Sequence, residues 1–201
     1  MPPAVHPLRC RCGALQGQVE LSGLSNRMRC YCQDCQAFAR FLGSPDQVLD
    51  AQGGSDVVQL APHRIRITQG AAHLAVMRLS DQGMLRWYAA CCRTPVGNTM
   101  SSRAMPFTGL LAQCLDSAPL EAAFGPVRAS ANTASAIGEP KPRAFGMAGA
   151  VLRILGMVLG SRLSGRYKDT PFFTASGAPV AEPTVLSAEE RARLRPTPGL
   201  G

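Results

Sequence analysis

Between residues 17 and 90 the apolar positions fall into short runs spaced roughly ten residues apart, the rhythm of antiparallel β-structure. "GQVEL" (17–21) and "RMRCY" (27–31) predict two strands flanking a turn at Ser22–Asn26. "DVVQL" (56–60), "RIRIT" (64–68), "LAVMRL" (74–79) and "MLRWYAA" (84–90) predict four more, separated by the turn-forming "APH", "QGAA" and "DQG". In "RIRIT", Ile65 and Ile67 alternate with Arg64 and Arg66, the period-two pattern of a half-exposed strand. Trp87 is expected in the core and Tyr88 toward solvent. One helical segment interrupts the strands: Asp34 is placed to cap a helix over Cys35–Leu42, which Gly43 and Pro45 end.

Beyond residue 127 the pattern changes, dividing the chain into a β-rich domain (1–127) and an extension (128–201). "RASANTASAIGEPKPR" (128–143) is small and polar and reads as a linker or an irregular wrap. "FGMAGAVLRILGMVLGSRLSGR" (145–166) is densely apolar but broken by Arg153 and by glycines, and its uninterrupted part is too short to span a bilayer. A helix packed on the domain or on a second copy, as in a homodimer, is the expectation. Peripheral contact of 145–166 with a membrane surface is the alternative. "TPFFTASGAPVAEPTVL" suits a hairpin, with Phe172 and Phe173 anchoring the tail or lining a cleft, and Ser187 with Glu190 forms a capping box for a last short helix.

Composition sharpens this picture at two points. The start, "MPPAVHPLRC", lacks a basic stretch followed by an apolar one, so a cytoplasmic location with reduced thiols is expected. Eight cysteines in that setting point to metal binding. The formal net charge is +8, with 11 basic and 8 acidic side chains up to residue 127 and 10 and 5 beyond it, so the tail is the more basic part. Nucleic acid is not an expected partner: aromatics make up only 5% of the chain and no recognition motif is present.

Seven of the cysteines fall in three clusters: Cys10-x-Cys12-Gly13, Cys30-x-Cys32-x-x-Cys35 and Cys91-Cys92. Thiolates are soft ligands that zinc takes three or four at a time, and two ligands from one tight turn reach the ion at little entropic cost. The middle cluster offers three thiols from one loop with no clear fourth nearby. Two sites are therefore expected: a closed one from the outer clusters, and an open one on Cys30, Cys32 and Cys35. Asp34, between two of these ligands, is either a helix cap or a proton relay. Gln33 and Gln36 are placed to donate to the sulfurs or to face solvent. Arg29 and Arg40 flank the loop, where they attract a carboxylate-bearing ligand or balance the thiolate charge. His63 and His73 are not at ligand spacing, and Cys114 reads as a buried apolar residue.

"CRCG…RCYCQDCQ…CCRTPVGN" resembles the glutathione-dependent formaldehyde-activating enzyme family, which includes the centromere protein V type. Its pattern is C-x-C-G, then C-x-C-x-x-C, then C-x-x-C-G-[ST]-P, and the resemblance covers roughly residues 8–115. It implies a mainly β, Mss4-like β-tent of twisted antiparallel sheets, here with a C-terminal helical and irregular extension. It implies a structural zinc on the first and third clusters and a second zinc on the middle one. The activity it implies is that of a carbon–sulfur lyase making or breaking S-hydroxymethylglutathione, with glutathione as co-substrate. The third motif departs from the pattern. Aligning on Thr94-Pro95 puts Cys92 on the second family cysteine and Ala89 on the first, with Arg93 in place of the glycine. Neighbouring residues of an extended strand point to opposite faces, so Cys91 joins Cys10, Cys12 and Cys92 only if the backbone kinks. Water, or another side chain such as His6, is the alternative fourth ligand. The competing function is a non-catalytic zinc-binding interaction module with a basic tail.

Overall fold

A computed structural model of the chain describes residues 3–115 and 119–195. The strands are β1 (Val5–Arg9), β2 (Gln16–Glu20), β3 (Asn26–Cys30), β4 (Ser55–Leu60), β5 (Ile65–Gln69), β6 (Leu74–Arg78), β7 (Leu85–Ala89), β8 (Thr94–Thr99), β9 (Thr108–Leu111), β10 (Ala129–Ala131) and β11 (Thr184–Val185). They build a three-stranded sheet, β1-β2-β5, and an eight-stranded sheet, β10-β3-β4-β9-β8-β7-β6-β11. The helices are α1 (Gln33–Phe41), α2 (Pro45–Val48), α3 (Leu120–Phe124), α4 (Met147–Leu163) and α5 (Ala188–Leu194). The fold is mainly β with neither sheet closed. Pairing is antiparallel except at the two edges of the large sheet, where β10 runs parallel to β3 and β11 parallel to β6.

All six expected strands form, but two local expectations change. The turn expected at Ser22–Asn26 is a crossing between sheets: β2 and β3 lie in different sheets, and Asn26 already opens β3. Arg64 does not lie on the exposed face of a strand. It ends a 3-10 turn (Pro62–Arg64), is buried, and its guanidinium donates to the carbonyls of Glu20 (2.7 and 2.9 Å) and Leu24 (2.6 Å), tying the crossing to β5. Two of the strands that the hydrophobic pattern leaves out contain a proline. Pro7 sits in β1, an edge strand. Pro95 sits in central β8 at a register shift opposite Trp87 and Tyr88, one of the few interior places where a residue without an N–H is tolerated.

The core fills the space between the sheets. Leu8, Val19 and Ile65 from the small sheet meet Val58, Leu60, Trp87 and Leu110 from the large one. Phe172 and Phe173 enter the same core from the tail, with ring centroids 5.1 and 6.4 Å from Trp87, and the chain turns back between Phe173 and Pro179. The other face of the large sheet is covered in two places. Phe38 of α1 and Leu42, its C-cap, pack on Met77 and Leu79, and Ala150 of α4 packs on Met28, Val57 and Leu111. Residues 128–143 carry β10 and a 3-10 turn at Thr133–Ser135. Tyr88 faces α1 and packs edge-on to Phe41 at 5.7 Å. Ser187 and Glu190 form the expected capping box of α5. Among the described residues, no helix is long and apolar enough to cross a membrane.

Phe172 is fully buried, whereas Leu159 on α4 is 59% exposed. Phe172→Ala is expected to lower unfolding stability by about 3–5 kcal/mol through the cavity it leaves. Leu159→Ala should change stability by about 0.5 kcal/mol or less. Urea midpoints of the two variants compared with the parent check whether the tail is part of the cooperative unit.

Candidate metal centres

The outer cluster is built from two turns. Cys10 follows β1, and the chain reverses at Gly13, whose N–H donates to the Cys10 carbonyl (2.9 Å) with φ of +78°. Cys91 and Cys92 lie in the turn from β7 to β8. There the Ala89 carbonyl accepts from both Cys92 N–H (3.4 Å) and Arg93 N–H (2.7 Å), and Arg93 adopts φ of +56°. That curl is the kink that two adjacent cysteines need to face one point. Arg93, where the resembled family has glycine, is held in the left-handed region by its own contacts. It donates to the Leu42 carbonyl (3.1 Å) and to that of Phe41, at the C-terminus of α1, and lies over the Phe41 ring. Arg11 ties the turns together through its N–H to Thr94 Oγ1 (3.0 Å) and its guanidinium to the Cys92 carbonyl (2.9 Å).

The sulfurs of Cys10, Cys12, Cys91 and Cys92 lie within 4.8 Å of one another. Individual separations are 3.5 Å (Cys10–Cys12), 3.7 Å (Cys10–Cys91), 3.4 Å (Cys12–Cys91) and 3.9 Å (Cys91–Cys92). Tetrahedral zinc with Zn–S bonds of about 2.3 Å requires sulfurs about 3.8 Å apart, so the four residues fit a thiophilic ion. Cys91 therefore stands in the fourth position. Ala89 is buried in the core of β7, and His6 packs edge-on to Phe124 at 5.2 Å. Against the desolvation of its half-buried position, hydrogen bonds from Thr94 and from the Cys12 backbone hold the Cys92 thiol down at about 6. Desolvation, with contacts to Cys12, Cys10 and Cys92, pushes Cys91 up.

The middle cluster joins the end of β3 to the start of α1. Cys30 closes the strand and Cys32 is the N-cap of the helix, its Sγ accepting from Cys35 N–H at 3.3 Å. The cap is thus a cysteine and not Asp34, which sits in the first helical turn. The sulfurs of Cys30, Cys32 and Cys35 lie within 4.8 Å of one another, and among the described residues no further His, Cys, Asp or Glu joins them. Hydrogen bonds from Cys32 and then Cys35 hold the Cys30 thiol far down, at about 2, helped by the Asn132 amide. Cys32 and Cys35 are pushed up by the hydrogen bond each shares with Cys30. Three convergent sulfurs are a soft donor set that could hold a metal ion.

Two residues of this site are missing from the sequence reading. Asn132, in the segment read as linker or wrap, has φ of +56° and points its amide at Cys30 Sγ (3.5 Å). Arg86, buried on β7 beneath α1, places Nη2 3.6 Å from Asp34 Oδ2 and donates to Asn98 Oδ1 (3.3 Å). A charged residue between Leu85 and Trp87 in an apolar strand was the clue available, because a buried guanidinium must find partners. Gln36 does not reach the sulfurs: it is buried and donates to the carbonyls of Tyr31 and Ser135, both at 2.9 Å. Arg29 is ion-paired to Asp50 (2.8 Å) and Asp56 (3.7 Å), and Arg40 reaches the Leu194 carbonyl (3.5 Å). Cys114 is buried, donates to the carbonyls of Val96 and Leu111, and is pushed up to about 12 by burial. His63 faces Ser161 of α4, and His73 sits in a turn.

A cleft of about 410 Å³ lies against the outer cluster, lined by Arg9, Arg11, Gln47, Arg93 and Gln113. Its Arg93 meets the C-terminal end of α1, whereas the middle cysteines hold the N-terminal end.

The two centres differ in what they join, and removing a ligand from each separates their roles. Cys91→Ser is expected to release the ion linking the β1 and β7–β8 turns and to lower Tm by roughly 10 °C or more. Cys35→Ser should release one ion from the start of α1 with a smaller loss of stability. Metal content per chain and thermal melts of both variants read this directly.

A search of curated proteins finds no match to this chain. Among solved structures, a Rhodobacter sphaeroides protein known from its crystal structure is similar at a TM-score of 0.39 and 21% identity, over 56% of this chain and 90% of its own. A family described only as of unknown function, DUF6151, matches residues 3–184. The chain belongs to that family.

Proposed function

We propose that this is a two-zinc protein in which the four-cysteine centre is structural and the three-cysteine centre takes a thiol-bearing substrate, in the manner of a carbon–sulfur lyase acting on an S-hydroxymethylglutathione-like adduct. One observation carries the reading: Cys30, Cys32 and Cys35 converge without a fourth Cys, His, Asp or Glu among the described residues, whereas the outer cluster is complete. The resemblance of the three cysteine motifs to the glutathione-dependent formaldehyde-activating family supplies the reaction class. Bound to the three thiolates, zinc supplies a soft Lewis acid that favours an incoming thiol in its deprotonated form.

The chain's own residues then have defined tasks. Asp34, about half exposed and held by buried Arg86, is the proton acceptor and donor. In the breakdown direction the hydroxymethyl O–H proton passes to Asp34 and the C–O bond becomes a carbonyl. The C–S electron pair stays on sulfur, formaldehyde leaves, and Asp34 returns the proton to the thiol or to solvent. The Asn132 amide, beside Cys30, is the neutral donor that steadies charge on sulfur. Arg40 makes no ion pair among the described residues and is the cation offered to the substrate's carboxylates, whereas Arg29 is already shared by Asp50 and Asp56.

A second reading, the non-catalytic zinc module, has one observation in its favour. Three clefts, of about 410, 500 and 310 Å³, are lined by none of Cys30, Cys32 and Cys35. Cobalt-substituted protein titrated with glutathione separates the two. The lyase reading expects saturable movement of the thiolate-to-cobalt bands, lost in Cys35→Ser. It also expects Asp34→Asn to slow adduct turnover by roughly 10²-fold while the thiol still binds. Bands indifferent to glutathione would leave the module as the function.

A further inference from the structure

The helix α4 is apolar on both sides. At 100° per residue, Ala150, Met157 and Ser161 share one face and are buried against the large sheet and the 61–64 turn. Leu152, Leu155, Leu159 and Leu163 share an arc of about 80° on the opposite face, and they are 69%, 58%, 59% and 80% exposed. A helix apolar all round belongs with both faces covered, yet only one face of α4 is. Phe145 and Met147, 46% and 42% exposed, extend the apolar surface past its N-terminal end.

The charges around this stripe identify what covers it. From Pro140 to Lys168 the chain holds six basic residues and no acidic one. Arg153 and Arg162 flank the leucines on either side of the helix, and Lys141 and Lys168 lie beyond its ends. A second copy laid along the same stripe would bring arginine against arginine, with no carboxylate on the helix to meet either. An anionic, apolar-cored surface satisfies both the leucines and the cations. The helix does not span such a surface, because its other face is committed to the sheet and it is too short to cross.

We infer that α4 docks this protein in the plane of an anionic lipid surface, with Leu152, Leu155, Leu159 and Leu163 inserted at the headgroup level and Arg153 and Arg162 on lipid phosphates. The inference stands apart from the chemistry of the cysteine centres.

Sedimentation of the full, metal-loaded chain with vesicles tests it. Vesicles of phosphatidylglycerol mixed with phosphatidylcholine are expected to carry the protein down, and pure phosphatidylcholine to bind at least roughly tenfold more weakly. Leu155→Glu combined with Leu159→Glu should cut partitioning by roughly tenfold or more. Arg153→Glu combined with Arg162→Glu should abolish the preference for anionic vesicles. Leu155, Leu159 and Arg162 are exposed, Arg162 also donating to the Ala104 carbonyl (3.1 Å), and Arg153 is half-buried; unchanged metal content certifies the folding of both variants. Absence of binding to anionic vesicles, or equal binding by the leucine variant, overturns the inference. So does analytical ultracentrifugation showing a dimeric parent and a monomeric leucine variant, which would assign the stripe to a second copy.

Discussion

Four thiol sulfurs held within 4.8 Å of one another set the terms for the rest of this structure. Two like charges at that range repel by roughly 1–4 kcal/mol in a medium between water and a protein surface. The group therefore stays mostly protonated or takes up a cation. The second outcome is worth more to the fold, because the sulfurs come from both sheets. Cys10 and Cys12 follow β1 of the small sheet, and Cys91 and Cys92 lie between β7 and β8 of the large one. A cation among them would close one end of the space that Trp87, Leu8 and Phe172 fill with apolar side chains. With so few aromatic residues in the chain, such a pin at the sheet junction would relieve the core of part of that task.

The same turn reaches the second centre. Arg93 follows the last outer cysteine and, in the left-handed conformation, sends its guanidinium to the carbonyls that end α1. The opposite end of α1 carries Cys32 as its cap and Cys35 in its first turn. The nine residues between make a rod of about 13 Å, so the outer centre orients the middle one through a rigid element. Arg93 in place of glycine costs local backbone strain and gains a helix-terminal cation. Arg86 completes the arrangement from below, packing over Phe38 while reaching Asp34.

The parts of the fold legible in the sequence are those whose cause is local. Six strands announce themselves as short apolar runs about ten residues apart, α1 by the Gly43 and Pro45 that end it, α5 by its capping box, and the tail anchor by two adjacent phenylalanines in a polar stretch. The parts not legible have non-local causes. β10 is three small residues that become a strand only because β3 offers an unpaired edge. β1 and β8 contain prolines that read as breaks until an edge position and a bulge accommodate them. The place of Cys91 was undecidable from alternation, because a turn and not a strand sets its direction. Asn132 joins the middle cluster from 102 residues away along the chain. Three cysteines on a short loop were visible; what stands around them depends on tertiary packing.

The short edge strand β10 also connects the chemistry to the surface. Its partner β3 ends at Cys30, and the residue after β10 is Asn132, which touches that sulfur. On its other side Ser130 pairs with Phe145, two residues before α4 begins. The three-cysteine centre and the leucine-bearing helix are therefore anchored to one edge of one sheet. A lipid surface that held α4 in place would hold that edge as well, and a thiol adduct partitioning near the interface would meet Cys30 and Cys32 without needing a deep cleft. Two features of the structure thus share one sheet edge: a ligand set of two half-buried cysteines and one buried one, outside the three clefts described, and the exposed apolar stripe of α4.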